Sequence, residues 1–67
     1  MNYAFEVTVQ DIINIYKQRG TTVSPTIAEA VFDDLEMELI EEAALQGEDL
    51  DEQTELAYEE IKRQLFN

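Results

Sequence analysis

Cysteine is absent from this chain of 67 residues, and its absence limits how the fold can be stabilised. Small folds are often held by disulfides or thiolate–metal sites, and neither can form here. A chain this short also buries only about 60% of the surface that it exposes when unfolded. The packing of helices or strands must therefore supply the stability. We expect one compact domain over residues 1–67, with a homodimer as an open possibility.

Three segments carry apolar residues at helical spacing, which predicts an all-α fold: a compact three-helix bundle with a short extended N-terminal arm. The arm spans residues 1–8, where large apolar residues alternate with others, as in a strand. No second segment of the chain can pair with it, so a strand over residues 3–7 would need a second copy. The helices are predicted over residues 9–19, 25–46 and 50–65.

The predicted helix boundaries rest on capping residues. The starts are marked by side chains that can accept a hydrogen bond from the first turn, or by proline at the first helical position: Thr8 with Asp11, Ser24 with Pro25, and either Asp49 or Asp51. The first two helices are each followed by a glycine, Gly20 and Gly47. Gly20 is expected to stop the first helix, and Gly47 is expected to adopt the left-handed conformation that ends many helices.

The long predicted helix over residues 25–46 carries two apolar stripes. The main stripe, which we expect to face the core, consists of Ala28, Val31, Phe32, Leu35, Leu39 and Ala43. A secondary apolar seam projects to another side of the helix and consists of Met37, Ile40 and Ala44. Either the third helix or the arm covers this seam, or it stays exposed among carboxylates as a protein-binding surface.

Charge is distributed very unevenly along the chain. Sixteen acidic residues oppose four basic ones, and there is no histidine. All of the acids except Glu6 and Asp11 lie between Gly20 and Ile61, an interval with no cation. Such a field repels nucleic acid and anionic membranes and attracts basic surfaces. The N-terminus also lacks the basic start and apolar run of a signal peptide, so we expect neither export nor membrane insertion.

Catalytic and metal-binding groups are scarce in the sequence. Histidine and cysteine are missing, and the single serine, Ser24, is assigned to a helix cap. Residues 49–60 resemble a calcium loop in their acidic positions, but Thr54 stands where the sharp turn of that loop requires glycine. An acid-capped helix explains the same residues. We therefore predict no enzymatic activity, no cofactor and no metal.

The acids of the second predicted helix and of the turn after it are the candidate partner-binding residues. Solvated helices usually interleave charges of both signs, whereas lysine and arginine are absent here and like charges repel. A charge field selected for a basic partner is one explanation, and a merely solubilising surface is the other. The candidates are Asp33, Asp34, Glu38, Glu41, Glu42, Glu48, Asp49 and Asp51.

Residues 47–54 (GEDLDEQT), followed by Ala57 and Tyr58 and preceded by residues 31–35 (VFDDL), resemble small acidic proteins of bacteriophages and bacterial mobile elements. The resemblance implies the cytoplasm of a bacterial host and a role against host machinery, such as a nuclease, a restriction enzyme or a CRISPR complex. It transfers no binding residues. The leading hypothesis is a DNA-mimic-like inhibitor that docks on a basic host protein. The alternative is a small oligomerisation or scaffold module that uses the secondary apolar seam.

Overall fold

The computed structural model describes residues 6–67, which form four helices. Their bounds are α1 Val9–Gln18, α2 Pro25–Asp34, α3 Met37–Leu45 and α4 Leu50–Phe66. The all-α class is confirmed. The prediction of three helices is wrong, because the helix expected over residues 25–46 is two helices, α2 and α3. Most of the predicted arm, residues 1–5, lies outside the described residues, whereas Val7 is buried against the helices.

The helix starts agree with the capping residues of the sequence. At the start of α1, the Thr8 hydroxyl accepts a hydrogen bond from the Asp11 amide at 3.3 Å, and the Asp11 carboxylate accepts one from the Thr8 amide at 2.8 Å. This is the reciprocal capping box. Ser24 caps α2 by accepting from the Ile27 amide at 3.2 Å. For α4 the cap is Asp49, the first of the two candidates, which accepts from the Glu52 amide at 2.9 Å.

The two glycines end helices for different reasons. Gly20 has a φ of 84°, and the amides of Gly20 and Thr21 donate to the carbonyls of Lys17 and Tyr16, as expected of a left-handed helix end. Gly47 does not have a positive φ, so the prediction for it is wrong. A Cβ atom on Gly47 would lie 2.6 Å from the backbone nitrogen of Gln53. Glycine is needed there because α4 approaches the chain so closely.

The break between α2 and α3 falls at Leu35 and Glu36, where the sequence has neither glycine nor proline. Leu35 is extended, with φ −67° and ψ 142°. The apolar stripes explain the break. In one straight helix, at about 100° per residue, Ile40 would lie about 120° around the axis from Ala28, and Ala44 about 160°. All three side chains are fully buried, which a straight helix packed on a single core would not permit.

Because of the break, the predicted main stripe is buried or half-buried on α2 but is wrong at Leu39 on α3. Ala28 is fully buried, and Val31, Phe32 and Leu35 are half-buried as expected on α2. On α3, however, Leu39 is 36% exposed, because the helix presents Ile40 and Ala44 to the core instead. The core residues come from every helix and from the segment before α1: Val7, Ile12, Ile15, Ala28, Ile40, Ala44, Ala57 and Ile61.

One side chain of α4 holds the backbone at the break. The Gln64 amide oxygen accepts a hydrogen bond from the Glu36 amide at 2.8 Å, and the Gln64 amide nitrogen donates to the Glu36 carbonyl at 3.2 Å. The same nitrogen donates to the Glu60 carboxylate at 3.0 Å. Glu36 is the N-cap residue of α3 but makes no capping bond with its own side chain. Gln64 therefore satisfies the Glu36 amide, which the break leaves without a helical partner, and adds a donor to the Glu36 carbonyl, which also accepts from the Leu39 and Ile40 amides.

The helices α3 and α4 form an antiparallel hairpin. Gly47 contacts Gln53 near the turn, and Glu36 contacts Gln64 at the far end. The same register sets Ala44 opposite Ala57 and Ile40 opposite Ile61, and all four are fully buried. Small residues at the turn end and isoleucines at the other end allow the helices to pack closely along their whole length.

The helices α1 and α4 run parallel, with larger side chains between them. The Tyr58 hydroxyl, in the middle of α4, donates at 2.6 Å to the carboxylate of Asp11, in the first turn of α1. Near their ends, the Tyr16 and Phe66 rings meet edge to face with centroids 5.3 Å apart. Burial, followed by the hydrogen bond to Asp11 and the negative charge of that residue, raises the pKa of Tyr58 from 10.0 to about 12.

Substitution of the two glycines should distinguish the need for a left-handed backbone at Gly20 from the need for space at Gly47. Gly20→Asn should cost less than about 1 kcal/mol, since asparagine tolerates the left-handed conformation and the space around Gly20 is open. Gly47→Asn should cost about 2 kcal/mol or more, because any Cβ atom collides with the Gln53 backbone. Chemical denaturation of both variants measures the difference. Equal losses would contradict the close approach at Gly47.

The bond between Tyr58 and Asp11 should give the protein a distinctive pH dependence. A tyrosine with a raised pKa stabilises the fold fully below pH 10.0 and loses that contribution as the pH rises towards about 12. Tyr58→Phe should cost about 1 kcal/mol near neutral pH. The difference in unfolding free energy between wild type and variant should shrink above pH 10.0. A constant difference would show that the hydroxyl contributes nothing through this bond.

Candidate functional site

The eight predicted partner-binding carboxylates are all exposed, but they do not lie on one helix. The break separates Asp33 and Asp34, in the last turn of α2, from the other six. Those six share the α3–α4 hairpin and will be called the acidic hairpin surface: Glu38, Glu41, Glu42, Glu48, Asp49 and Asp51. The structure therefore brings together most of the predicted site, on the hairpin that packs most closely.

Most of these carboxylates have no partner among residues 6–67. Asp49 caps α4, but the side chains of the other five make no hydrogen bond or ion pair with any residue of that range. The helices α3 and α4 and the turn between them hold these side chains at the surface. Asp51 and the neighbouring Glu52 lie in the first turn of α4, where the helix dipole favours negative charge. The acidic hairpin surface is thus free to meet a basic partner.

The basic residues lie at the opposite end of α4. Because α1 and α4 are parallel, their C-terminal turns lie side by side and bring together Lys17, Arg19, Lys62 and Arg63. The Arg19 guanidinium stacks on the Phe66 ring, 3.9 Å from its centroid. Phe66 is thereby held in the helix. The cations at this end are interspersed with Asp34, Glu36, Glu59 and Glu60, whereas the charged residues of the turn between α3 and α4 are all acids.

One acid near the basic end is neutralised by its neighbours. Arg63 donates two hydrogen bonds to the Glu60 carboxylate, at 3.0 and 2.6 Å. These bonds hold the pKa of Glu60 below its ordinary value, aided by the bond from Gln64 and the charge of Arg63, while partial burial opposes the change. The same bonds raise the pKa of Arg63. Glu60 therefore belongs to the interior network at the break and not to the open acidic surface.

Exposed leucines lie within the acidic hairpin surface, and the sequence analysis gave two of them no role. Leu45, at the end of α3, is 40% exposed, and Leu50, at the start of α4, is 51% exposed. Leu39, on the outer side of α3, was expected in the core. The positions of Leu45 and Leu50 outside both apolar stripes were a usable signal. Together they give the hairpin an apolar contact area among carboxylates.

The secondary apolar seam is covered, which is the first of its two predicted arrangements. Ile40 and Ala44 are fully buried against α4, and Met37 is half-buried beside the core. The seam is the contact face of α3 for its own neighbour. It presents no continuous apolar surface to a partner helix.

A shallow groove of about 440 Å³ lies beside the break. It is lined by Tyr16, Val31, Asp34, Leu35, Glu36, Arg63, Gln64 and Leu65.

No group of three acids within residues 6–67 is arranged to hold a metal ion. Residues 49–60 form the N-cap and the first turns of α4, so the acid-capped helix is confirmed over a calcium loop.

No helix among residues 6–67 combines the length and the apolar character needed to cross a membrane. The sequence matches no family model, and comparisons with curated proteins and with solved structures find no match. The function must therefore be argued from the surface itself.

A single charge reversal on α3 tests whether the acids of the hairpin repel one another. Glu42→Lys removes the repulsion between Glu38 and Glu42, one helical turn apart, and places a cation in the last turn of α3, which has none. We expect a gain of about 1 kcal/mol in unfolding free energy at low salt that disappears at about 0.5 M salt. Glu42→Gln should show about half of the gain. No gain in dilute buffer would mean that the acids do not destabilise the fold.

Proposed function

We propose that this protein is a non-enzymatic binding protein whose acidic hairpin surface docks on a basic, nucleic-acid-binding surface of a host protein. The observation that carries the proposal is the set of carboxylates on α3 and the α3–α4 turn that are exposed, rigidly held and mostly without partners. The repulsion among them disfavours folding, and nothing in the interior depends on most of them. Binding to a basic partner would offset this repulsion and would account for the arrangement.

Carboxylates on a rigid hairpin can take the places of phosphates in such a groove. Lysine and arginine side chains that bind DNA phosphates bind carboxylates by the same charge-assisted hydrogen bonds. Association then releases counterions from both surfaces, so affinity falls steeply as salt is added. The basic end of the molecule would face away from the partner, because its charges are repelled by the groove.

The exposed leucines narrow the class of partner. A plain polycation would attract the acidic hairpin surface without contacting Leu45 or Leu50, whereas a folded protein can offer an apolar pocket between its basic residues. The partner we propose is therefore a folded basic protein with apolar residues beside its nucleic-acid-binding groove. The resemblance to phage proteins favours a nuclease, a restriction enzyme or a CRISPR complex in a bacterial cytoplasm.

The alternative of an oligomerisation module that uses the secondary apolar seam is not supported by the fold. That reading requires Ile40 and Ala44 to be accessible, and both are fully buried in the contact between α3 and α4. Opening the hairpin to expose them would cost the most extensive helix–helix contact of the chain.

The test begins with capture of partners from a bacterial lysate at low salt and elution with salt. Affinity for the purified partner is then measured at about 50 mM and about 500 mM salt, where we expect a loss of at least about a hundredfold. Two variants carry the same change in net charge. In the first, glutamine replaces the glutamates of the acidic hairpin surface: Glu38, Glu41, Glu42 and Glu48. In the control, it replaces exposed glutamates elsewhere: Glu6, Glu29, Glu55 and Glu59.

The first variant should bind at least about tenfold more weakly than the control variant, because local contacts and not net charge determine docking. Equal losses in the two variants would contradict docking through the hairpin, and salt-independent affinity would contradict the electrostatic mechanism.

The leucines have their own matched comparison. Leu45→Ala with Leu50→Ala should weaken binding without changing its salt dependence, whereas Ile27→Ala, at an exposed apolar residue of α2, should not.

A further inference from the structure

The break at Leu35 and Glu36 divides the protein into two helical pairs. The helix α1 packs on α2, and α3 packs on α4. The chain passes between the pairs once, through the break. Each pair is local in sequence and keeps its own internal contacts whatever the conformation of the break. This is the geometry in which two copies of a chain can exchange equivalent parts.

The backbone of the break is not one that the local sequence prefers. Residues 33–38 (DDLEME) contain no glycine or proline, and a continuous helix would satisfy the amide of Glu36 internally. In the structure the Glu36 amide donates to the side chain of Gln64 instead, while the Glu36 carbonyl accepts from the Gln64 amide nitrogen as well as from the amides of Leu39 and Ile40. A contact distant in sequence therefore opposes the local preference for helix.

The two pairs share the apolar core, and the polar and aromatic contacts between them are few. They include the Tyr58–Asp11 hydrogen bond, the Tyr16–Phe66 ring contact and the stacking of Arg19 on Phe66. None of them requires that both partners belong to the same chain. If the break straightened, α1 and α4 would lie on different sides of one long helix, because the two apolar stripes are about 120° or more apart. The surfaces of α1 and α4 that contact each other in the bent chain would then be uncovered. Each would be complementary to the equivalent partner surface of a second straightened copy.

We infer that this chain forms a dimer by exchange of its helical pairs, in which α2 and α3 join into one continuous helix. Each copy supplies α1 and α2 to one half of the dimer and α3 and α4 to the other half. The contacts between Asp11 and Tyr58 and between Tyr16 and Phe66 re-form between the copies. Such an interface is two-fold symmetric and closes on itself. The inference does not rest on the proposed function, because it uses neither the acidic hairpin surface nor a host partner.

The experiment refolds the protein from denaturant at about 1 mM, in about 0.5 M salt to screen the repulsion between acidic copies. Light scattering after size separation then measures the dimer. Glu36→Pro and Glu36→Ala form a matched pair. Proline fits the backbone of the existing break, because Leu35 already has the extended conformation that precedes proline and Glu36 has a φ of −86°, although it removes the Glu36 amide that donates to Gln64. In a straight helix it costs more, because its ring also clashes with the preceding turn. We expect a dimer for wild type and Glu36→Ala, and a folded monomer at every concentration for Glu36→Pro.

Gln64→Ala removes the hydrogen bonds that stabilise the break only in the monomer. Its dimerisation constant should exceed that of wild type by at least about tenfold. Spin labels on Ile27→Cys and Leu45→Cys, in a chain with no other cysteine, report the shape of the segment. A continuous helix separates the two backbone positions by about 27 Å, and the bent monomer should show a shorter distance. Labelled chains are diluted with unlabelled ones, so that only distances within one chain are measured.

Three results would overturn the inference. The first is that wild type and Glu36→Ala both remain monomeric throughout. The second is a dimer of Glu36→Pro as stable as that of Glu36→Ala, since an ordinary surface dimer does not need a straight helix. The third is an unchanged distance between the labels in the dimer. The comparison at Glu36 stands even if Gln64→Ala fails to fold.

Discussion

The two apolar stripes of residues 25–45 are out of phase, and most of the structure follows from that mismatch. A straight helix would bury Ala28 or Ile40 against one core, but not both. The chain breaks at Leu35 and Glu36, α3 packs on α4 through the second stripe, and Gln64 satisfies the backbone at the break. The helical preference of the segment is given up in exchange for the burial of both stripes, since apolar burial outweighs a few tenths of a kcal/mol of helix propensity.

The packing of α3 on α4 then determines where the charges lie. Once Ile40 and Ala44 face inward, Glu38, Glu41 and Glu42 can only face solvent, and so does Leu39. The tight turn, which requires glycine at Gly47, brings the acids that follow α3 close to the acids on α3. The cations are placed by a different rule, because they follow the C-terminal ends of α1 and α4, where helix dipoles favour positive charge. The separation of charge along the molecule results from helix polarity and hairpin geometry together.

The features proposed to serve binding are those that do least for stability. Unpaired carboxylates repel one another and the exposed leucines leave part of their apolar area in water, yet both lie on the hairpin with the closest packing. A closely packed hairpin can tolerate such a surface and keep it rigid, which lowers the entropy lost when a partner binds. The break contributes in the opposite sense. At the break, the chain departs from the helix that its local sequence prefers, and the side chain of Gln64 stabilises this departure.

The sequence by itself determined the features that depend on neighbouring residues. The all-α class follows from helical periodicity. The caps at Thr8 and Ser24, the restriction of the third cap to Asp49 or Asp51 and the helix stop at Gly20 follow from interactions within one helical turn. Two stripes on one segment were visible, but helical periodicity alone cannot say which of them is buried. The tertiary structure decided the break, the burial of the seam and the role of Gly47, because each depends on where α4 packs. Contacts between residues far apart in sequence overrode local preference at those positions.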